Sequence, residues 1–231
     1  MIKALIFDFD GLILDTETPE LLVWQDIYAR YGQALALETW GQFVGGAGAT
    51  DFEPAAHLSR LLGAPVPKDS LYAETDARRT TLIHQSTVLP GVLDYLNEAR
   101  RLGLGLAVAS SSSHHWVDGH LRRLGIFDRF DAIICSEDVP PGRTKPHPDL
   151  FLRALAALHA RADEAVVLED SPNGVKAARA AGIFVVAVPN PVTRQLAFDT
   201  PNLRLNALTD LPLSEVLKRA SGGAWATFPA P

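Results

Sequence analysis

The sequence holds one cysteine in 231 residues, Cys135. No intramolecular disulfide can form, and a cysteine-rich zinc site is excluded. A reducing compartment, the cytoplasm, is the simpler expectation. Long apolar runs are missing as well. The longest stretches, such as Ala181 to Val188, have the length of a strand and cannot span a bilayer. The opening residues, Met1-Ile2-Lys3-Ala4-Leu5-Ile6-Phe7-Asp8, meet a carboxylate too early for a signal-peptide core, so no targeting segment is expected. No run of lysine and arginine offers a nucleic-acid footprint. The 21 basic residues face 27 acidic ones, for a formal net charge of -6. No internal repeat is visible. Neither a membrane nor a nucleic acid is expected as a partner, and a monomer is slightly favoured.

What is present is an ordinary globular mixture, 47% hydrophobic and 21% charged, which argues against a disordered chain. A chain of this length buries a real core without staples, as one large domain or as a core with a modest insertion. Short runs rich in Val, Ile and Leu occur at Ala4 to Phe7, Leu104 to Ala109, Ala132 to Ile134, Ala165 to Leu168 and Phe184 to Val188. They are near-continuous rather than alternating, which suits strands buried on both faces of a parallel sheet. Helical patterns lie between them, at Val92 to Arg101, Trp116 to Leu124, Asp149 to His159 and Gly174 to Ala181. Strand alternating with helix predicts an α/β doubly wound, Rossmann-like parallel sheet.

One interval breaks the alternation. From about Thr16 to Val88 the pattern is helical, with candidates at Leu21 to Tyr31, Trp40 to Val44, Phe52 to Leu62 and Ser70 to His84. A small helical domain over 16–88 is therefore expected, inserted after the first strand of a core made of 1–15 and 89–221. The crossings fall near Asp15-Thr16 and at Leu89-Pro90-Gly91, where Pro-Gly is a turn signal. Residues 222–231 are expected to form a flexible tail, with Trp225 and Phe228 able to dock.

Four places can carry chemistry. Phe7-Asp8-Phe9-Asp10-Gly11 closes the first strand. If the strand continues, Asp8 and Asp10 point to one side, and like charges that close need a cation or a proton between them. A solvated turn is the plainer alternative. Val166-Val167-Leu168-Glu169-Asp170-Ser171-Pro172-Asn173-Gly174 again ends an apolar strand in carboxylates and then opens a helix. Hard oxygen ligands without His or Cys favour magnesium over zinc, although two acids at a helix N-terminus also serve as caps. Ser110-Ser111-Ser112-Ser113 ends a strand in hydroxyls and N–H groups at a helix entry, suited either to a phosphate or to a plain N-cap. Thr144-Lys145-Pro146-His147-Pro148-Asp149 holds a lysine between a loop and a proline-capped helix, where it can neutralise a phosphoryl oxygen and a carboxylate together, or simply be solvated. All four fall at or just beyond predicted strand ends, so they converge on one mouth of the sheet and form an electrostatic clamp suited to phosphoryl transfer.

With these motifs in order, Asp8-Phe9-Asp10-Gly11 with Asp15-Thr16-Glu17, then Ser110, then Lys145-Pro146-His147-Pro148-Asp149, then Glu169-Asp170-Ser171, the chain resembles the haloacid dehalogenase superfamily. Within it, the chain is similar to the β-phosphoglucomutase-like phosphatases with a small helical cap. The resemblance implies that Asp8 is the nucleophile, forming an aspartyl-phosphate, and that Asp10 is the general acid and then the base. It implies Mg2+ held by Asp8, Asp170 and the backbone carbonyl of Asp10, with Glu169 in support or ligating through water. Ser110 and Lys145 would hold the phosphoryl group. Thr16 and Glu17 at the hinge, Ser111 and Ser112, and Gly45 and Gly46 in the glycine run of the cap would face the substrate, although that run also reads as a flexible loop.

Departures from the wider pattern narrow the activity. Asp10 is present, whereas the halide-removing members lack that second aspartate. The cap interval holds one lysine, Lys68, flanked by proline and expected in a loop, so a Schiff-base lysine is not favoured. The glycine run carries no arginine for a second phosphate, and Glu20 stands near the place of the mutase-type histidine. Hydrolysis of a small phosphorylated metabolite, a sugar phosphate, is therefore expected over a β-phosphoglucomutase-type isomerisation. A non-catalytic phospho-acceptor or scaffold is the rival of another class. Arg78 and Arg79 read as helix-surface residues or anionic contacts, His114 and His115 as helix-entry residues. Trp24, Trp40 and Trp116 read as packing.

Overall fold

The computed structural model describes residues 1–41 and 53–222. Gly45, Gly46, the rest of the glycine run, Trp225 and Phe228 lie outside the described residues. The strands are β1 (Ala4–Phe7), β2 (Gly105–Ala109), β3 (Ala132–Ile134), β4 (Ala165–Glu169), β5 (Phe184–Ala187) and β6 (Leu203–Arg204). They pair in parallel throughout, in the order β3-β2-β1-β4-β5-β6. β1 therefore sits at the centre, where the strand order reverses. A crevice opens at such a reversal, beyond the carboxyl ends of the strands. Phe7 stands level with Val108 of β2 and Leu168 of β4, so the residues that follow each strand emerge at one height.

The continuous apolar runs form strands because both faces are covered. Leu5, Phe7, Leu106, Val108, Val166 and Leu168 join one cluster with α5 (Val92–Arg101), α6 (His114–Arg123) and α9 (Leu213–Gly222). Ala4, Ile6, Ala107, Ala109, Val167 and Val185 join the other with α7 (Asp149–Ala157) and α8 (Pro172–Ala180). Burying a Leu or Phe side chain in such a layer contributes about 1.5–3 kcal/mol.

Between β1 and α5 the described residues form helices and no strand: α1 (Glu17–Arg30), α2 (Leu37–Gly41), α3 (Pro54–Leu62) and α4 (Lys68–Gln85). They gather around Trp24, Ile27, Tyr28, Trp40, Leu58 and Leu71, a cluster of their own joined by Val192 from the loop after β5. The two connections to the sheet run side by side, with Leu89 N donating to Ile13 O at 2.9 Å.

Several helices start earlier than periodicity alone suggests, because a cap decides the start. α1 begins at Glu17 rather than Leu21, with the Asp15 carboxylate accepting from Thr18 N. α6 begins at His114 rather than Trp116 because Ser113 accepts from Trp116 N. α8 begins at Pro172, capped by Ser171. Lys68, expected in a loop, opens α4 behind Pro67 and pairs with Glu53 at 3.6 Å. No described helix is long and apolar enough to cross a membrane.

Candidate active site

β1 stops at Phe7, so the alternation expected to carry Asp8 and Asp10 to one side does not continue. The chain instead turns through Gly11 at φ 77, a conformation that other residues resist. Glycine is required there for space as well. A Cβ on Gly11 would overlap the Asp170 carboxylate and approach Asn190 Nδ2 to 2.6 Å. The turn therefore brings the first aspartate motif close against the end of β4.

Asp8, Glu169 and Asp170 are all buried, and one oxygen of each lies within 4.8 Å of the others. Lys145 Nζ bridges two of them, donating to Asp8 Oδ1 and to Glu169 Oε1 at 2.6 Å each. The second Glu169 oxygen accepts from Ser171 N and Ser171 Oγ at 3.0 Å. Asp170 Oδ2 accepts from Asn190 Nδ2 at 2.7 Å. All four charged side chains are nearly withdrawn from water, so their interactions are weakly screened.

One lysine does not balance three buried carboxylates. Burial, then the charge of Glu169, pushes the Asp8 carboxyl up to about 7 despite Lys145. Burial and the neighbouring Asp8 push Asp170 well above the usual carboxylate range. Burial works against the Lys145 ammonium, but Asp8 and Glu169 outweigh it and hold that charge more firmly than usual. The donor set is all oxygen and carries an excess of negative charge. Those properties fit a hard divalent cation such as Mg2+.

Asp10 takes no part in this trio. Its Oδ2 accepts from Ser112 Oγ at 2.6 Å and from Ser110 Oγ at 3.4 Å, and its Oδ1 accepts from Trp116 Nε1 at 2.9 Å. The serine run thus divides its work. Ser110 and Ser112 turn to Asp10, Ser113 caps α6, and Ser111 is exposed. A cavity of about 580 Å³ opens over these groups. Asp8, Asp10, Thr16, Glu17, Ser110, Ser111, Ser112, Lys145 and Asp170 all line it, while Glu169 lies behind with no exposed surface.

Of the two arginines that read as helix-surface residues or anionic contacts, Arg79 lines the cavity and Arg78 does not. Glu20 and Arg79 face the cavity from α1 and α4 and lie 3.6 Å apart. Burial, then Asp10 and Glu20, pushes the Glu17 carboxyl up to about 7. Arg78 turns outward to Asp26 and Glu74. Trp116 packs against the core, as its ring suggests, but its N–H has a polar task that no spacing announces. Asn190, between two prolines after β5, was open to notice only as a polar residue at a strand end. His114 holds Asp138 at 2.8 Å, and His115 is exposed.

The profile of the haloacid dehalogenase-like hydrolases matches residues 5–188. A Bacillus subtilis (strain 168) protein named "Putative phosphatase YhcW" is 42% identical over 217 residues, covering 94% of this chain and 97% of its own. Hexitol phosphatase B of Escherichia coli O157:H7 is 29% identical over 223 residues, with 94% and 97% covered. The crystal structure of CbbY from Rhodobacter sphaeroides in complex with phosphate superposes with a TM-score of 0.65 at 28% identity, covering 91% of this chain and 96% of that one. A parallel sheet with acids, serine and lysine gathered at its reversal point, together with these relatives, leads to one conclusion: the chain belongs to the haloacid dehalogenase-like hydrolases and is a phosphoric monoester hydrolase.

Proposed function

We propose that this phosphatase hydrolyses small phosphomonoesters, sugar or polyol phosphates, with Mg2+ and through an aspartyl-phosphate on Asp8. The observation that carries the reading is the bridge of Lys145 between Asp8 and Glu169 beside Asp170. A carboxylate that attacks phosphorus must be ionised, and Lys145 favours that state where burial opposes it. Asp8, Asp170 and the Asp10 carbonyl would hold the ion, which, when bound, supplies positive charge for the transferring phosphoryl oxygens. Glu169 keeps Lys145 in place through Oε1 and is itself held by Ser171 through Oε2, so it supports the ion or reaches it through water.

Asp8 attacks phosphorus while Asp10 gives a proton to the leaving alcohol. Asp10 then takes a proton from the water that opens the acyl phosphate. Ser110 and Lys145 hold the phosphoryl group, with Ser111 and Ser112 alongside. Residues 16–88 form a helical cap over a core of 1–15 and 89–221, and closing it keeps bulk water from the intermediate. Thr16, Glu17, Glu20 and Arg79 meet the hydroxyl-bearing end of the substrate. Among the described residues Arg79 Nε is buried with no hydrogen-bond partner, so a donor is available there. Hydroxyls suit such a mixed wall of carboxylate and guanidinium. The hexitol phosphatase relative supports a polyol phosphate, and the CbbY complex supports a phosphate. Gly45 and Gly46 complete the substrate side of the reading.

The test is phosphate release from a panel of sugar and polyol phosphates, with and without Mg2+, with Asp8→Asn as the blank. Mg2+-dependent release that disappears in the variant is the expected result. Turnover that survives Asp8→Asn, or isotopically labelled phosphate retained in an isomerised product, overturns it.

A further inference from the structure

We propose that Trp116 is a positioning residue for Asp10: its indole N–H engages Oδ1, so that the proton passed to the leaving alcohol is carried by Oδ2. The inference rests on the assignment of Asp10 as the general acid.

The two oxygens of Asp10 face chemically different partners. Oδ1 accepts from Trp116 Nε1 at 2.9 Å, and an indole N–H donates but never accepts. Oδ2 faces the hydroxyls of Ser112 at 2.6 Å and Ser110 at 3.4 Å, which rotate to accept as well as donate. A proton on Oδ2 therefore keeps every contact, because Ser112 turns its hydroxyl and accepts. A proton on Oδ1 would set the indole against the poorer-accepting hydroxyl oxygen of the acid. The partners thus make the two oxygens inequivalent before any substrate arrives.

The indole is held as a fixed donor. It packs partly buried against the core, and the ring of His120 stands edge-on to it at a centroid distance of 4.3 Å. His120 is itself buried and accepts from Arg123 Nε at 3.2 Å. The Arg123 guanidinium donates to the carbonyls of Ile83, His84 and Ser86 at the end of α4. Trp116 cannot swing away without disturbing this chain of contacts, which ends on the connection between α4 and the sheet.

In the reacting complex the ester P–O bond breaks as the bond from Asp8 to phosphorus forms. The proton on Oδ2 exchanges Ser112 for the ester oxygen and leaves with the alcohol. Asp10 is then a carboxylate whose two oxygens again accept from Trp116 and Ser112.

The experiment compares kcat/KM for two substrates, the best alkyl phosphate of the panel and p-nitrophenyl phosphate, whose leaving group departs without a proton. This ratio covers the steps through phosphoryl transfer, so the later role of Asp10 as a base does not enter. Trp116→Phe removes the donor. Replacement of Trp116 by benzothienylalanine removes it while keeping the bicyclic shape, so a packing defect is separated from the lost hydrogen bond. Asp10→Asn is the reference. The expected result is a loss of about 10- to 100-fold for the alkyl phosphate in both Trp116 variants, at least about tenfold greater than the loss for p-nitrophenyl phosphate. Equal losses on the two substrates, or none, in the benzothienyl variant overturn the positioning role. Equal losses in Asp10→Asn overturn the general-acid assignment beneath it.

Discussion

Lys145 Nζ and Asp8 Oδ1 form an ion pair at 2.6 Å in which both side chains are almost withdrawn from water, 6% and 9% exposed. A buried pair of this kind adds little over an apolar pair of the same volume, but losing one partner leaves an uncompensated charge. Here the loss would leave three acids. Lys145→Met is expected to cost about 3–5 kcal/mol in urea denaturation with the divalent ion chelated. It should lower kcat/KM by about 100-fold or more. Adding Mg2+ should restore part of the stability and little of the activity, because the ion replaces the charge and not the ammonium's contacts. A stability change below about 1 kcal/mol would mean that the acids are already protonated together and that Lys145 is not their counter-charge.

Gly174 lies in the first turn of α8, and its backbone passes directly against Glu169. A Cβ there would overlap the Glu169 carboxylate. Gly174→Ala must push that carboxylate off Lys145 or bend the helix start, at about 1–3 kcal/mol. Since the lysine follows Glu169, kcat/KM should fall by about tenfold or more. Gly119 on α6 is the contrast: nothing lies within 4 Å of its Cβ position, and Gly119→Ala should stabilise by about 0.5–1 kcal/mol. Chemical denaturation and steady-state kinetics of the two variants side by side check the pair. Equal behaviour would contradict the close approach at Gly174.

The contrast between Glu169 and Asn190 shows what the sequence makes legible. Glu169 stands at the end of a continuous apolar run, and the strand carries it to the mouth of the sheet beside Asp8. Asp170, Ser110 and Lys145 are legible for a related reason, since the sheet or the loop after a strand supplies their position. Asn190 meets Asp170 only because the loop after β5 folds back, with its Oδ1 accepting from Val192 N and Thr193 N. No periodicity encodes such a turn. Trp116 is legible as packing, which it is, and the partner of its N–H depends on the turn at Gly11. The two-residue strand β6 is too short to stand out from its surroundings, and α9 does not stand out as a separate helix within 89–221. The early helix starts depended on Asp15, Ser113 and Ser171, whose capping outweighed hydrophobic spacing.

Asn190 should matter for the cation. Its amide holds Asp170 Oδ2 at 2.7 Å, and so orients a carboxylate that lies within reach of Asp8 and Glu169. Removing a group that orients a ligand typically lowers metal affinity by about 10- to 100-fold. Asn190→Ala is expected to raise the Mg2+ concentration for half-maximal activity by that factor, with kcat at saturating Mg2+ far less affected. Calorimetric titration of Mg2+ into the variant gives the affinity independently of turnover. An unchanged affinity would place Asp170 in its orientation by other contacts.

Glu17 links the substrate cavity to stability through pH. Its carboxyl is pushed up to about 7 from the usual 4.5, by burial first and then by Asp10 and Glu20. The folded state therefore holds a proton on Glu17 between those two values that the unfolded chain gives up. The stability associated with that proton is fully present below pH 4.5 and is lost as pH rises through about 7. Glu17→Gln imitates the protonated acid at every pH. It should match the wild type near pH 4.5 and exceed it at pH 8. The gain should be about 1–2 kcal/mol, less than the whole shift implies because the cavity side of the carboxyl remains wet. Asp8 is among the charges that repel Glu17, so saturating Mg2+ should narrow the gap. Denaturation of both proteins at the two pH values, with and without Mg2+, measures all four differences. Glu17 lines the cavity, so on the proposed contact with the substrate's hydroxyls the same variant should raise KM for the best substrate. If the gap between the proteins is the same at pH 4.5 and pH 8, Glu17 titrates in the folded chain as it does in the unfolded one, and the crowding of acids around the cavity is relieved in the free protein.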